Sequence, residues 1–233
     1  MGFIKKILLK LYYFKYQYCK NPFIGNKVYD LNFKLFNENL IKETKTKLDP
    51  QYKLRYYEIL YYITKYKVRN VVELGTGRTS FIFNIISSIK CTSIEQDKGW
   101  LRKIISILKN FEIKHSIKFS NVVHYKNGIR FSHLPLLNPD LLYVDGPYSN
   151  KKKKKFQTFT GKYACYDFKT FFDRKVFPKI IMIEGRTDTA DAILESPYSK
   201  KYWFKGEFAY YFQRNKLLSS ISFRRHSIFI RKN

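Results

Sequence analysis

Val71-Val72-Glu73-Leu74-Gly75-Thr76-Gly77-Arg78-Thr79-Ser80 reads as a buried strand, a glycine turn and the start of a helix. Two β-branched residues end in an acid, and the two glycines then let the backbone turn tightly and approach a ligand. Thr79 and Ser80 are favourable helix-start residues, and Phe81, Ile82, Ile85, Ile86 and Ile89 follow at helical spacing. A strand that stops at a glycine turn and feeds a helix is the first unit of a doubly wound α/β fold. In such folds ligands sit at the carboxyl ends of the strands.

Outward from this unit the pattern alternates strand and helix, which predicts a parallel sheet. Upstream, Asp49-Pro50 opens a helix to about Tyr66, with Leu54, Tyr57, Leu60 and Tyr61 as its apolar stripe. Downstream, Cys91 to Glu95 is a second strand, and Asp97 caps a helix whose Leu101, Ile104, Ile105, Leu108 and Phe111 recur every three or four residues. Asn121 to Tyr125 is the expected third strand. Asp140 to Asp145 and Lys179 to Glu184 are the fourth and fifth, with nearly uninterrupted apolar runs suited to central positions. Thr187 and Asp188 are expected to cap a helix through Leu194. Trp203 to Arg214 and Ser220 to Arg231 alternate like an antiparallel pair joined near Asn215. Residues 22 to 48 show no clean period and read as a loop with short pieces of structure.

At 233 residues and 45% hydrophobic content the chain can bury one sizeable core. The formal net charge of +27 suggests nucleic acid, an anionic membrane or an acidic substrate. The competing explanation is an AT-rich genome, since Lys, Ile, Tyr, Phe and Asn are all abundant and the basic residues are spread along the chain. Cys19, Cys91 and Cys165 are widely spaced and lack a C-x-x-C pair, which argues against a disulfide framework or zinc site and fits a reducing cytoplasm. No run of about 18 apolar residues predicts a membrane span, and no signal peptide is expected at Met1 to Lys10. Residues 3 to 18 read as a basic amphipathic helix in which Ile4, Ile7, Leu8, Leu11 and Phe14 would share a face. It would either lie on an anionic membrane surface or pack on the domain or a partner.

Only 18 residues are acidic, yet Glu73, Glu95, Asp145 and Glu184 fall at the carboxyl ends of four different strands. They would border one crevice and suit a ligand that offers hydroxyls and positive charge. A dinucleotide fold wants Gly-x-Gly-x-x-Gly and an acid about 20 residues on. Here Glu95 has that spacing, but Ser80 stands where the third glycine would be. Glu73 discriminates, because an acid there crowds a pyrophosphate and welcomes an ammonium and a sulfonium.

Glu73-Leu-Gly75-Thr-Gly77, Glu95 and Asp145 together resemble the class I, Rossmann-like S-adenosylmethionine-dependent methyltransferases, over roughly residues 50 to 233. The resemblance implies a doubly wound, mostly parallel seven-stranded α/β sheet with helices on both faces and an antiparallel C-terminal strand pair. It places a methyltransferase domain at 49–233 behind a basic N-terminal helical extension at 1–48. It implies S-adenosyl-L-methionine as cofactor, with Glu73, Gly75, Thr76 and Gly77 at its methionine end and Glu95 at the ribose. Gln96, Asn127 and Gly128 are then expected near the adenine.

On the acceptor side, Asp145-Gly146-Pro147-Tyr148 resembles the Asp-Pro-Pro-Tyr of nucleic-acid amino-methyltransferases, but departs from it at glycine. With Glu184-Gly185-Arg186 it looks more like enzymes acting on sugar hydroxyls or other small O-nucleophiles. Asp145 is the first candidate for base or metal ligand and Glu184 the second. The competing readings are that Asp145 only orients cofactor or a turn, and that Glu184 is only a helix-cap or loop partner of Arg186. Lys151 to Lys155 would clamp an acidic acceptor or nucleic-acid phosphates, forming a lid with Tyr148, Phe156 and Tyr163, or would be a solvated loop. His115, His124, His133 and His226 have no metal-ligand spacing, so no metal site is assigned. The expectation is therefore a small-molecule or glycan O-methyltransferase with an acidic acceptor, cytoplasmic or membrane-peripheral, with an RNA or DNA methyltransferase as the alternative.

Overall fold

In the computed structural model, residues 27–45, 52–125, 128–147, 164–205 and 226–233 are described. The expected helix at 3–18, the start at Asp49-Pro50, Asn127, the Tyr148–Tyr163 lid and residues 206–225 of the terminal pair lie outside them.

The opening unit forms as expected. Strand β1 (Asn70–Leu74) runs into the glycine turn and helix α3 (Arg78–Ile85). Before it stand helices α1 (Lys27–Thr44) and α2 (Tyr52–Lys65). After it come β2 (Lys90–Glu95), α4 (Lys98–Lys109) and β3 (Ile117–Phe119). Then follow β4 (Val122–Tyr125), β5 (Gly128–Phe131), β6 (Leu141–Val144), β7 (Ala164–Cys165) and α5 (Asp167–Asp173). The chain continues through β8 (Ile180–Glu184), α6 (Thr187–Leu194), β9 (Tyr202–Lys205) and β10 (His226–Arg231).

Seven strands form one sheet in the order β3-β2-β1-β6-β8-β10-β9. The first five are parallel, with Val71 beside both Cys91 and Leu141. Strand β10 then runs antiparallel to β8 and β9, as the terminal alternation predicts. Strands β6 and β8 are buried along their whole length, which is why they read as continuous apolar runs.

One apolar layer packs Phe36, Phe81, Phe83 and Ile104 on one face of the sheet. The other places Phe168, Phe172 and Ile193 on the opposite face. Successive strand residues supply the two layers alternately, with Val71 in the first and Val72 in the second.

Three expectations need correction. Residues 27–44 are an 18-residue helix rather than a loop. Phe33, Phe36, Asn37 and Leu40 are its buried stripe at i, i+3, i+4 and i+7, and its apolar members join the core layer of Phe81 and Ile104. The third strand of the main sheet is β3, not Asn121 to Tyr125. Ser120 N caps the β2 edge by donating to Glu95 O, and β4 turns away to pair antiparallel with β5 in a separate three-stranded sheet. Neither Thr187 nor Asp188 caps α6. Arg186 occupies the cap position, and Thr187 and Asp188 lie in the first turn.

Candidate functional site

A cleft of about 360 Å³ opens at the carboxyl ends of β1, β2, β6 and β8. Thr76, Gly77, Glu95, Gln96, Asp97 and Trp100 line it on one side of β1, and Asp145 and Glu184 on the other; Leu40, Arg55, Arg78 and Thr79 complete it. Such a volume falls in the range of small-ligand sites.

The glycine turn is built by backbone contact. Gly75 has φ +86°, and a Cβ there would stand 2.6 Å from Gly146 N. A Cβ at Gly146 would in turn lie 2.7 Å from Gly75 Cα. Asp145 N and Gly146 N both donate to Leu74 O, at 2.9 and 2.5 Å. The glycine that departs from Asp-Pro-Pro-Tyr is thus required by its neighbour Gly75. It carries no information about the acceptor.

Glu95 fastens the other side of the turn. Its Oε2 accepts from Thr76 N and Oγ1 at 2.9 and 2.8 Å, and its Oε1 from Gln96 N and Asp97 N at 2.8 and 2.9 Å. Trp100 Nε1 donates to Thr76 O at 2.8 Å. Asp97 caps α4 as expected, accepting from Trp100 N.

Glu73 does not line the cleft. It is fully buried, and its carboxylate accepts from Thr79, Ser80 and Ser93 hydroxyls, the last two at 2.7 and 2.5 Å. Burial pushes its pKa up to about 7, while the hydrogen bonds from Ser93, Thr79 and Ser80 pull the other way. Its place is under the turn, where it ties α3 and β2 to β1. The physical reason is local: three hydroxyls converge on it and use its oxygens.

On the acceptor side, Asp145 is half-buried and Glu184 is buried. Arg186 does not pair with Glu184. Its Nε and Nη2 donate to Asp145 O at 3.0 and 2.7 Å, and Nη2 also donates to Pro147 O at 2.8 Å. This guanidinium, 1% exposed, holds the Asp-Gly-Pro turn. Glu184 instead meets Arg55 of α2 at 2.5 Å and accepts from the Tyr143 hydroxyl. Sequence reasoning missed Arg55, Arg78, Trp100 and Tyr143. The available signal was Arg55 and Glu58 three residues apart in a helix otherwise rich in Tyr, Ile and Leu.

Gly128 lies away from this cleft. It pairs with Ala164 in the small sheet, and a Cβ there would meet Tyr166 at 2.3 Å. Close packing explains this glycine. His124 and His133 are likewise on or beside that small sheet. Among the described residues no group of His, Cys, Asp and Glu side chains could hold a metal ion. No helix among them is long and apolar enough to cross a membrane.

Two features test the fit to S-adenosylmethionine. Gln96 Oε1 is buried without a hydrogen-bond partner among the described residues, beside Glu95, where an exocyclic amine could donate to it. At Gly77 a Cβ would meet nothing within 4 Å, so bare backbone faces open space in the cleft. The residues present therefore fit the adenosine and methionine portions of such a ligand.

No family model matches the sequence, and no curated protein matches it. Solved structures do match. A Staphylococcus aureus protein provisionally described as a caffeoyl-CoA O-methyltransferase superposes with TM-score 0.54 at 14% identity, covering 99% of this chain and 100% of that one. The methyltransferase PaMTH1 of Podospora anserina, bound to S-adenosylhomocysteine, gives TM-score 0.50 at 10% identity, covering 100% and 98%. A Klebsiella pneumoniae protein provisionally described as an O-methyltransferase gives 0.50 at 8%, covering 99% and 96%. These likenesses agree with the strand order above. The chain has the class I, Rossmann-like methyltransferase fold.

Proposed function

We propose that the chain is an S-adenosylmethionine-dependent methyltransferase that acts on an oxygen nucleophile of a small acceptor, such as a sugar or glycan hydroxyl. The observation that carries this reading is the cleft itself. It joins a bare glycine backbone and an unsatisfied Gln96 acceptor to two carboxylates, Asp145 and Glu184, at one sheet edge. When bound, the cofactor supplies an electrophilic methyl: the acceptor oxygen gains an O–C bond, the C–S bond breaks with its electrons left on sulfur, and the hydroxyl proton departs.

The chain's residues divide the remaining work. Gln96 and Glu95 would hold the adenosine, with Glu95 exchanging the Thr76 hydroxyl for ribose hydroxyls. Gly75, Thr76 and Gly77 would face the methionine portion, and Glu73 supports them from beneath. Asp145 and Glu184 would lie on the acceptor side, where Arg78 would present positive charge to an acidic group. Oxygen is favoured as nucleophile because two carboxylates there can take a hydroxyl proton, and because two of the structural neighbours are described as O-methyltransferases. Titration calorimetry with S-adenosylhomocysteine tests the reading. Micromolar binding that Glu95→Ala weakens at least about tenfold is expected, about 1.4 kcal/mol. A folded protein that binds none would overturn it.

A further inference from the structure

A connected chain of polar side chains runs inward from the cleft. Arg55 Nη1 lies 2.5 Å from Glu184 Oε1, and the Tyr143 hydroxyl donates to Glu184 Oε2. Tyr143 Oη is 3.0 Å from His226 Nε2, and His226 Nδ1 is 2.6 Å from Glu58 Oε2. Tyr143 and His226 are fully buried, and Glu58 and Glu184 are 3% and 5% exposed. Only its outer end, Arg55 and Glu184, borders the cleft.

Buried groups of this kind are costly unless each contact carries a proton, so the protons can be counted. A tyrosine hydroxyl has one hydrogen, and Glu184 receives it. His226 Nε2 must therefore donate to the Tyr143 oxygen. A neutral imidazole has then used its only N–H, and an ionised Glu58 has none. The 2.6 Å contact between His226 Nδ1 and Glu58 Oε2 still requires one. Three hydrogen bonds need three protons, whereas Tyr143, a neutral His226 and two carboxylates supply two. Tyr143 stays a donor because burial, then the Glu184 charge, push its pKa well above the usual tyrosine value.

We propose that the His226–Glu58 pair holds this additional proton and thereby sets the direction of the chain, keeping Glu184 ionised as the group that accepts the acceptor's hydroxyl proton. The proposal rests on the methyltransferase reading and deepens it. In the step itself the acceptor's O–H bond breaks, its electron pair stays on the acceptor oxygen, and a new O–H bond forms on Glu184. Glu184 touches the cleft; Tyr143, His226 and Glu58 act through it as positioning residues. The charged and titratable groups facing the chain among the described residues are Arg55 and Glu58 from α2, Tyr143 and the nearby Asp145 from β6 and its turn, and Glu184 from β8. Loss of the additional proton reverses the chain. The remaining imidazole hydrogen then turns to Glu58, Nε2 accepts from Tyr143, and Glu184 loses the Tyr143 hydrogen bond while keeping Arg55.

Histidine-¹⁵N and glutamate-¹³C NMR on the full chain without ligand tests this, with His226 assigned through H226Q. In the native protein at neutral pH, Nε2 should carry a proton. Raising the pH should release one proton and move the remaining ring hydrogen to Nδ1. In Glu58→Gln the amide donates to Nδ1, so Nε2 should stay protonated and the release should vanish. In Tyr143→Phe the Glu184 carboxyl should titrate higher than in the native protein, because its charged form has lost a hydrogen bond. An unprotonated Nε2 in the native protein, or an unchanged release in Glu58→Gln, overturns the proposal. Because these signals need no cofactor, failure here with S-adenosylhomocysteine still binding condemns the proton chain alone. Absent binding with the NMR pattern intact instead condemns the methyltransferase reading and the role of Glu184 with it.

Discussion

An alanine Cβ at position 75 would press on Gly146 backbone from a left-handed φ, whereas one at position 77 would point into open space. Gly75→Ala should therefore cost at least about 2 kcal/mol in chemical unfolding, from backbone strain and overpacking together. Gly77→Ala should leave stability within about 0.5 kcal/mol and yet weaken S-adenosylhomocysteine in calorimetry. Equal loss of stability in both would show that the turn is not held by the Gly75–Gly146 contact. Glu73 makes the second residue-scale prediction. Its folded pKa of about 7 exceeds its ordinary 4.5, so the folded state binds the proton more tightly than the unfolded state. That contribution is full below pH 4.5, declines as pH rises through 7, and is gone above it, a change of about 3 kcal/mol. Asp167, raised from 3.8 to about 7 chiefly by burial, acts in the same sense. Glu73→Gln should flatten the fall in stability between pH 5 and 8, read by unfolding midpoints; an equally steep fall would mean that Glu73 is not the titrating group.

At the scale of elements, α1 shows how a helix escapes its own sequence pattern. Asn37 sits in the buried stripe, donating to Phe33 O at 2.7 Å and accepting from Arg78 Nε at 2.8 Å, while Leu31 and Leu35 are exposed. A polar residue inside the stripe and leucines outside it erase the 3.6-residue period. Phe36, its ring tilted 31° against Phe81 with centroids 4.5 Å apart and fully buried, marks the true face. Phe36→Ala should destabilise by about 3–5 kcal/mol, and Leu31→Ala by under about 0.5 kcal/mol. Comparable effects from the two would place the helix outside the core. The parallel strands were legible because β6 and β8 are apolar throughout and each carboxyl end carries an acid. Strand β3, Ile-Lys-Phe, is too short to show a period and was displaced by the longer run after it. The site was half legible. Glu95, which its spacing from Gly75 singled out, lines the cleft with Thr76 and Gly77, but the inward turn of Glu73 depends on Thr79, Ser80 and Ser93 meeting in space. The Arg186 and Arg55 partners join segments 41 and more than a hundred residues apart, which no local pattern encodes.

For the whole molecule, burial sharpens the charge imbalance. Glu58, Glu73, Glu95, Asp167 and Glu184 are inside and Arg186 with them, so burial takes more acids than bases from the surface. The net charge of +27 is thus carried on a surface poor in acids. Random-sequence RNA should bind, and its affinity should fall by about 10³ or more between about 50 and 200 mM salt without preference for sequence. S-adenosylhomocysteine, held in a cleft, should bind with little change over the same range. A sequence-selective, salt-resistant RNA complex would instead favour nucleic acid as the acceptor. The sheet order adds one more consequence. Strands β2 and β3 lie to one side of β1 and β6 and β8 to the other, and the turns after β1 and β6 touch backbone to backbone at Gly75 and Gly146. With no side chain between them there is no soft layer to absorb movement. A shift of a few tenths of an ångström in one turn must be passed to the other, so the two halves of the cleft behave as a single lever, and filling one sets the posture of its opposite.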